Sequence, residues 1–425
     1  MLLYVIFGVL IGLLSVLSLL AARTATGAAA RLEESVAQLR RAVDRQSLEL
    51  QTAIRSQADA QQQEFSRVRA LIEVVPHSVA ALKPELAQIR ASLSPPKPAF
   101  EDPVPYIEAM PEADVLRIAA ALAVVRPLTP YPNWYFDADW QNPDLGYRIR
   151  RSIWTYFSRR KKPAAIDIPW YGALKMRIYL GNDLSRQQYV AGCLDPNEFA
   201  LLDKLLAPGM VFIDAGANEG FYTVFASYRV GKTGVVWAFE PSKREMERLT
   251  TNVGLNSLAN VRTFGVGLAD EDTDAELLIA GDEHSGHNTL GQFVYESELS
   301  KRESVPLRRL DNLVRENALK RLDFLKIDVE GAEWRVLAGA LGALRLFRPM
   351  ILLEVSDASL KAQGSSRGEL IQLLESQAYR LYLFDACTGL PVPAFEGRYG
   401  ANMLAVPVER NLPETALSAL PRIRT

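Results

Sequence analysis

Two apolar runs in this chain end in the same way: Val211-Phe-Ile-Asp-Ala-Gly-Ala-Asn-Glu-Gly220 and Phe324-Leu-Lys-Ile-Asp-Val-Glu-Gly-Ala-Glu333. Each reads as a strand buried on both faces, with a carboxylate where the strand meets its loop. Open α/β sheets bind ligands beyond the carboxyl ends of their strands, so the two acids mark one crevice. Around them the order of elements is strand 211–215, helix, strand 235–240, helix, strand 261–266, a variable insert, strand 323–328, helix, strand 350–355, helix 367–377 and closing strands near 379–384 and 402–406. This alternation predicts a doubly wound parallel sheet with right-handed crossovers.

The first loop narrows the ligand. Asp214, Gly216, Asn218 and Gly220 form a turn without the middle glycine of G-x-G-x-x-G. A pyrophosphate then cannot lie as close to the helix N-terminus, which favours a nucleoside over a dinucleotide. The next strand ends in Glu240, roughly 20 residues after the turn, where an acid receives ribose hydroxyls.

With Phe212-Ile-Asp-Ala-Gly-Ala-Asn-Glu-Gly-Phe-Tyr-Thr223, Ala238-Phe-Glu-Pro-Ser242, Arg309-Leu-Asp-Asn-Leu313, Leu325-Lys-Ile-Asp-Val-Glu-Gly-Ala-Glu333 and Arg348-Pro-Met-Ile-Leu-Leu-Glu354, the chain resembles the FkbM family of S-adenosylmethionine-dependent methyltransferases over residues 190–385. The resemblance implies a Rossmann-like class I methyltransferase sheet, seven strands, mostly parallel, with helices on both faces and antiparallel closing strands. It also implies S-adenosyl-L-methionine as cofactor and O-methylation of a hydroxyl on a sugar or secondary metabolite.

Methyl transfer from a sulfonium is an in-line displacement, so the protein mainly aligns oxygen, carbon and sulfur, and a base removes the hydroxyl proton. The cofactor-binding set is Asp214, Gly216, Asn218, Gly220, Glu240 and Asp328; Asp214 alternatively caps a helix, and Asn218 alternatively serves a left-handed backbone angle. The catalytic set is Asp328, His287, His284 and Glu354. Two of the three histidines in the chain fall in the polar loop Gly281-Asp-Glu-His-Ser-Gly-His-Asn-Thr289, and the third, His77, lies far upstream. Asp328, Glu330 and Glu354 have the oxygen ligands magnesium prefers, but no metal is expected.

The chain of 425 residues has a net charge of −2, from 48 Lys and Arg against 50 Asp and Glu, which gives no reason to expect nucleic acid. Cys193 and Cys387 make neither a disulfide framework nor a zinc site. Residues 1–22 carry no charged side chain and reach about 30 Å as a helix, so they read as a transmembrane anchor, with a cleaved leader as the alternative. Arg23, Arg31, Arg40 and Arg41 follow the span, which puts the bulk of the chain in the cytoplasm, at a bacterial inner membrane.

Residues 23–93 read as a long amphipathic helix or coiled-coil stalk, through Leu32, Val36, Leu39, Val43, Leu50 and Ile54, and offer a route to homo-oligomers. Residues 94–111 read as a Pro-rich linker, 112–190 as a helical and aromatic cap or lid, 191–408 as the catalytic domain, and 409–425 as a tail. In the cap, Tyr131, Trp134, Tyr135, Phe136 and Trp140 either stack on a sugar or pack the lid. Arg148, Arg150, Arg151, Arg159, Arg160, Lys161 and Lys162 either meet anionic headgroups or form a solvated face.

The leading expectation is therefore a tethered methyltransferase acting on a saccharide or glycolipid hydroxyl at the cytoplasmic face. The alternatives are one acting on a small metabolite or protein, and an inactive structural protein organised by the coiled segment.

Overall fold

The structure is a computed structural model that describes residues 103–131, 145–294, 298–395 and 399–417, all within the unit running from Glu101 to Thr425. The expected anchor, the stalk, the linker through residue 102, and Trp134, Tyr135, Phe136 and Trp140 lie outside the described residues. Among the described residues no helix is long and apolar enough to cross a membrane.

The strands are β1 (Ala164–Pro169), β2 (Lys175–Leu180), β3 (Val211–Ala215), β4 (Val235–Phe239), β5 (Val261–Phe264), β6 (Gly267–Leu268), β7 (Thr273–Ala280), β8 (Leu299–Arg308), β9 (Phe324–Ile327), β10 (Met350–Glu354), β11 (Tyr379–Phe384), β12 (Pro391–Pro393) and β13 (Asn402–Pro407). The main sheet has the order β12-β11-β13-β10-β9-β3-β4-β5. Strands β10, β9, β3, β4 and β5 run parallel, while β13 lies antiparallel between β10 and β11. The chain enters at β3, winds outward through β4 and β5, and returns to β9 on the other side of β3. The strand order therefore reverses between β3 and β9, which opens a crevice at their carboxyl ends.

Apolar residues alternate across the sheet and build a core on each face. Phe212, Val236, Phe324, Leu352 and Leu404 bury on one side, with the helix Phe221–Val230 and Trp170; Ile213, Trp237, Leu325, Ile351 and Ala405 bury on the other. This is why the strands read as unbroken apolar runs. Phe212 and Phe324 are register partners, and their rings stack at 5.5 Å.

Four expectations need correction. The main sheet has eight strands, not seven, because residues 391–393 add an edge to β11. The cap includes an antiparallel β1–β2 hairpin, whose period-two burial puts Ile166, Ile168, Met176, Ile178 and Leu180 inside. The linker ends sooner than residue 111: Val104–Glu108 is helical and buries Ile107. The tail contributes Leu412 and Ala416 to the core. The basic run is also partly consumed internally, since Arg150 is buried and donates to the Val190 carbonyl at 3.2 Å, while Lys161 pairs with Glu298 at 2.7 Å.

The Phe212–Phe324 stack bridges the two central strands with no solvent contact for Phe212. Phe212→Ala is expected to lower unfolding free energy by roughly 3–5 kcal/mol; a denaturant midpoint within error of the wild type would show that the central strands do not rely on this stack.

Candidate active site

Behind the crevice, the parallel register of β3 and β9 sets Asp214 beside Lys326, at the carboxyl end of the face that buries Phe212 and Phe324. The Lys326 ammonium donates to the Gly216 carbonyl at 2.9 Å and lies 3.4 Å from both Asp214 Oδ1 and Asp328 Oδ2. Burial opposes its charge, but Asp328 and Asp214 outweigh that and hold its pKa above the usual lysine value. Asp214 is completely buried and accepts from Thr223 Oγ1 at 2.6 Å, which ties β3 to the helix that follows. It therefore stands behind the ligand wall, not in it, and acts by fixing the loop.

Gly216 has φ +75°, and a Cβ there would lie 1.8 Å from the Asp328 carbonyl oxygen. A Cβ on Gly220, at φ +94°, would meet Leu249 at 2.7 Å. Both glycines were expected to admit a ligand. Their stronger constraint is protein packing, because the two signature loops touch backbone to backbone. Gly216 still lines the crevice, whereas Gly220 lies behind it against Leu249.

Asn218 adopts φ +47°, donates through Nδ2 to the Ser285 carbonyl at 3.0 Å, and keeps a buried Oδ1 without a partner. Glu240 accepts the Asn218 and Ser242 amides, both at 2.9 Å, one on each carboxylate oxygen. Burial, with Glu245 nearby, pushes its pKa up to about 8.

The resulting cavity is about 270 Å³ and is walled by Gly216, Asn218, Glu240, Lys326 and Asp328, with Asp183 and His287 also on its lining. His287 Nε2 is 3.7 Å from Asp183 Oδ2, and burial lowers the histidine pKa against the pull of that carboxylate. His284 stacks on His287 at 5.4 Å between ring centres but is not part of the wall. Glu354 is likewise off the wall. It gathers with Asp328 and Glu330, their carboxylate oxygens all within 4.8 Å, and burial with Asp328 close by pushes its pKa to about 8.

Several residues were missed from sequence. Asp183 and Asp195 line the cavity, and Asp195 accepts from the Tyr222 hydroxyl at 2.9 Å with its pKa raised to about 6 by burial. Glu219 is fully buried and accepts from Asn182 at 2.7 Å and Arg248 at 3.0 Å; burial lifts its pKa to about 7. The one local signal was Asp195-Pro196, a helix start with proline at its first position.

A glycine turn, a ribose-type acid on the next strand and a cavity at the switch point define the α/β class whose doubly wound sheets hold nucleoside-containing ligands. Residues 214–381 match the methyltransferase FkbM domain. The chain is 30% identical over 189 residues to the 2-O-methyltransferase NoeI of Sinorhizobium fredii, covering 42% of this chain and 74% of that protein. It is 29% identical over 234 residues to the AMB antimetabolite synthetase AmbE of Pseudomonas aeruginosa, and 30% identical over 154 residues to methyltransferase sdnD of Sordaria araneosa. These alignments span 11% and 59% of the two relatives' own lengths. The chain belongs to the FkbM methyltransferase family.

The buried acids set a pH dependence. Glu240 and Glu354 release their protons near 4.5 when unfolded but only at about 8 in the fold. The folded state thus holds protons the unfolded chain has lost, and stability present below 4.5 is lost as pH rises through 8. The ligand-free protein should melt at a higher temperature near pH 6 than near about pH 8.5, and Glu240→Gln with Glu354→Gln should reduce the difference, with Glu219, raised to about 7, carrying part of the remainder. Thermal melts that rise with pH over this window would contradict the assignment.

Proposed function

We propose that the protein is an S-adenosylmethionine-dependent O-methyltransferase acting on a hydroxyl of a saccharide or glycolipid. The observation that carries this reading is the single cavity into which Gly216, Asn218, Glu240, Asp328 and His287 converge. Its residues suit the cofactor. Glu240 uses one lone pair on each oxygen for loop amides and keeps others for the ribose hydroxyls, and the unpartnered Asn218 Oδ1 can accept a further donor. Asp328, side chain 42% exposed, gives a carboxylate to the cationic end of the ligand. When bound, S-adenosylmethionine supplies an electrophilic methyl group.

The protein's own task is alignment and proton handling. Lys326 holds the β3 and β9 loops at fixed separation, so the wall is formed before the ligand arrives. His287, neutral through burial and oriented toward Asp183, receives the acceptor's proton. Transfer to an oxygen is supported by NoeI, whose name states 2-O-methylation. Residues 1–22 anchor the chain in a bacterial inner membrane, with the catalytic region on the cytoplasmic side, and residues 23–93 form a stalk through which copies associate.

Calorimetric titration of S-adenosylmethionine and S-adenosylhomocysteine into the full chain should give saturable binding. Glu240→Ala should weaken it by about tenfold to a hundredfold, as expected for loss of two hydrogen bonds to the ribose hydroxyls. Transfer of labelled methyl to saccharide acceptors then tests the second half. A folded wild type that binds neither compound would remove the reading altogether.

A further inference from the structure

Asp183, His284 and His287 form a cluster that a base alone does not account for. Their donor atoms all lie within 4.8 Å of one another. The two histidines are three residues apart on the tight turn Asp282–His287, and their rings are nearly parallel, 9° between planes. The separation of 3.7 Å between His287 Nε2 and Asp183 Oδ2 is too long for a hydrogen bond. It is close to the spacing of two ligands that each sit about 2.1 Å from one shared ion.

The carboxylate is held in place by its surroundings. Asp183 accepts from the Leu184 amide at 2.9 Å, from Ser285 Oγ at 3.3 Å and from the Gly286 amide at 3.3 Å. Ser285 is fully buried and is itself fixed by Asn182 Nδ2 at 3.0 Å. The ends of the histidine turn are pinned as well, by Ala280 N–H to Asn288 Oδ1 at 2.9 Å and by Thr289 Oγ1 to the Glu330 carbonyl at 3.0 Å. Outer contacts of this kind orient metal ligands in built sites.

We propose that Asp183, His284 and His287 bind a divalent first-row transition metal ion at the edge of the cavity. Two imidazoles and one carboxylate suit zinc, cobalt, iron or manganese better than magnesium, which prefers oxygen alone. Because Asp183 and His287 are on the cavity lining, an ion they held would stand at the cavity's edge, where a ligand in the cavity could reach it. The ion's part in the reaction rests on the methyltransferase reading above. A hydroxyl bound there gives its proton to solvent more readily. Its oxygen then forms the O–C bond as the C–S bond breaks, and the electron pair stays on sulfur. In that case His287 serves as a ligand, and the ion takes over the activation otherwise assigned to the histidine.

The test uses the full chain after chelation and dialysis, with Co²⁺ as probe. Expected is one Co²⁺ per chain with visible ligand-field bands, and affinity reduced at least about tenfold in His284→Ala and in Asp183→Asn. His284→Ala is the decisive variant, because His284 is off the cavity wall and a base-only role for His287 leaves it without effect. That variant should still bind S-adenosylhomocysteine, which also reports that it is folded. Co²⁺ titrations that coincide for wild type and His284→Ala, or a wild type that takes up no Co²⁺, would overturn the site. Loss of S-adenosylhomocysteine binding by the wild type with Co²⁺ binding intact would instead remove the methyltransferase reading and leave the metal site standing.

Discussion

The fold depends on one buried ammonium. Lys326 sits at the point where the sheet reverses direction and bonds to the loops of both strands that flank it: Gly216 and Asp214 after or on β3, and Asp328 after β9. A lone charge in that position would be very costly, and an unpaired carboxylate equally so. Together they compensate each other, and the close backbone approach of Gly216 to Asp328 becomes sustainable. Tyr222 adds its ring face 4.9 Å from the ammonium, while its hydroxyl donates to Asp195. The polar cluster thus stands two residues beyond the Phe212–Phe324 pair along the same two strands, where the cavity begins.

A second network joins the glycine loop to segments outside the sheet. Glu219 lies between Asn218 and Gly220, yet its carboxylate points to Asn182 and Arg248, and Arg248 continues to Asp282. Asn182 also reaches Ser285 at 3.0 Å. One buried acid thus ties the glycine loop to the turn that carries Asp183 and to the turn that carries the histidines. Distances between the two halves of the cavity are set by the same hydrogen bonds, so a shift in one half is transmitted to the other.

The parts of this arrangement that were legible in sequence are those with a local signature. Strands such as 211–215 and 350–354 are apolar up to a carboxylate near their carboxyl ends because both faces are covered, and Asp214, Glu240 and Asp328 fall at or just past strand ends in a fixed order. The β1–β2 hairpin was also legible in principle, since Lys175-Met-Arg-Ile-Tyr-Leu180 alternates with period two, but its aromatic and basic neighbours suggested a helical cap. The insert became a three-stranded sheet of β6, β8 and β7, whose burial pattern is irregular along β7. Asp183 and Asp195 had no comparable signature. Asp195 meets Tyr222 across 27 residues, and Asp183 meets Ser285 across 102, so only the folded chain brings them to the cavity. Gly216 and Gly220 were read as cofactor-binding, whereas the contacts that exclude a side chain there are with the Asp328 backbone and Leu249.

The cavity wall is not uniform in origin. Gly216, Asn218, Glu240 and Asp328 belong to residues 214–381, the stretch that matches the family domain, whereas Asp183, Leu184, Gln187, Leu194 and Asp195 come from the segment before it. The first group sits at strand ends, where the sheet fixes position and allows little change. The second is carried by helical turns held through side-chain hydrogen bonds, such as Asn182 to Glu219. On that division, one part of the wall is fixed by the sheet itself, and the other by segments held to it through side-chain hydrogen bonds.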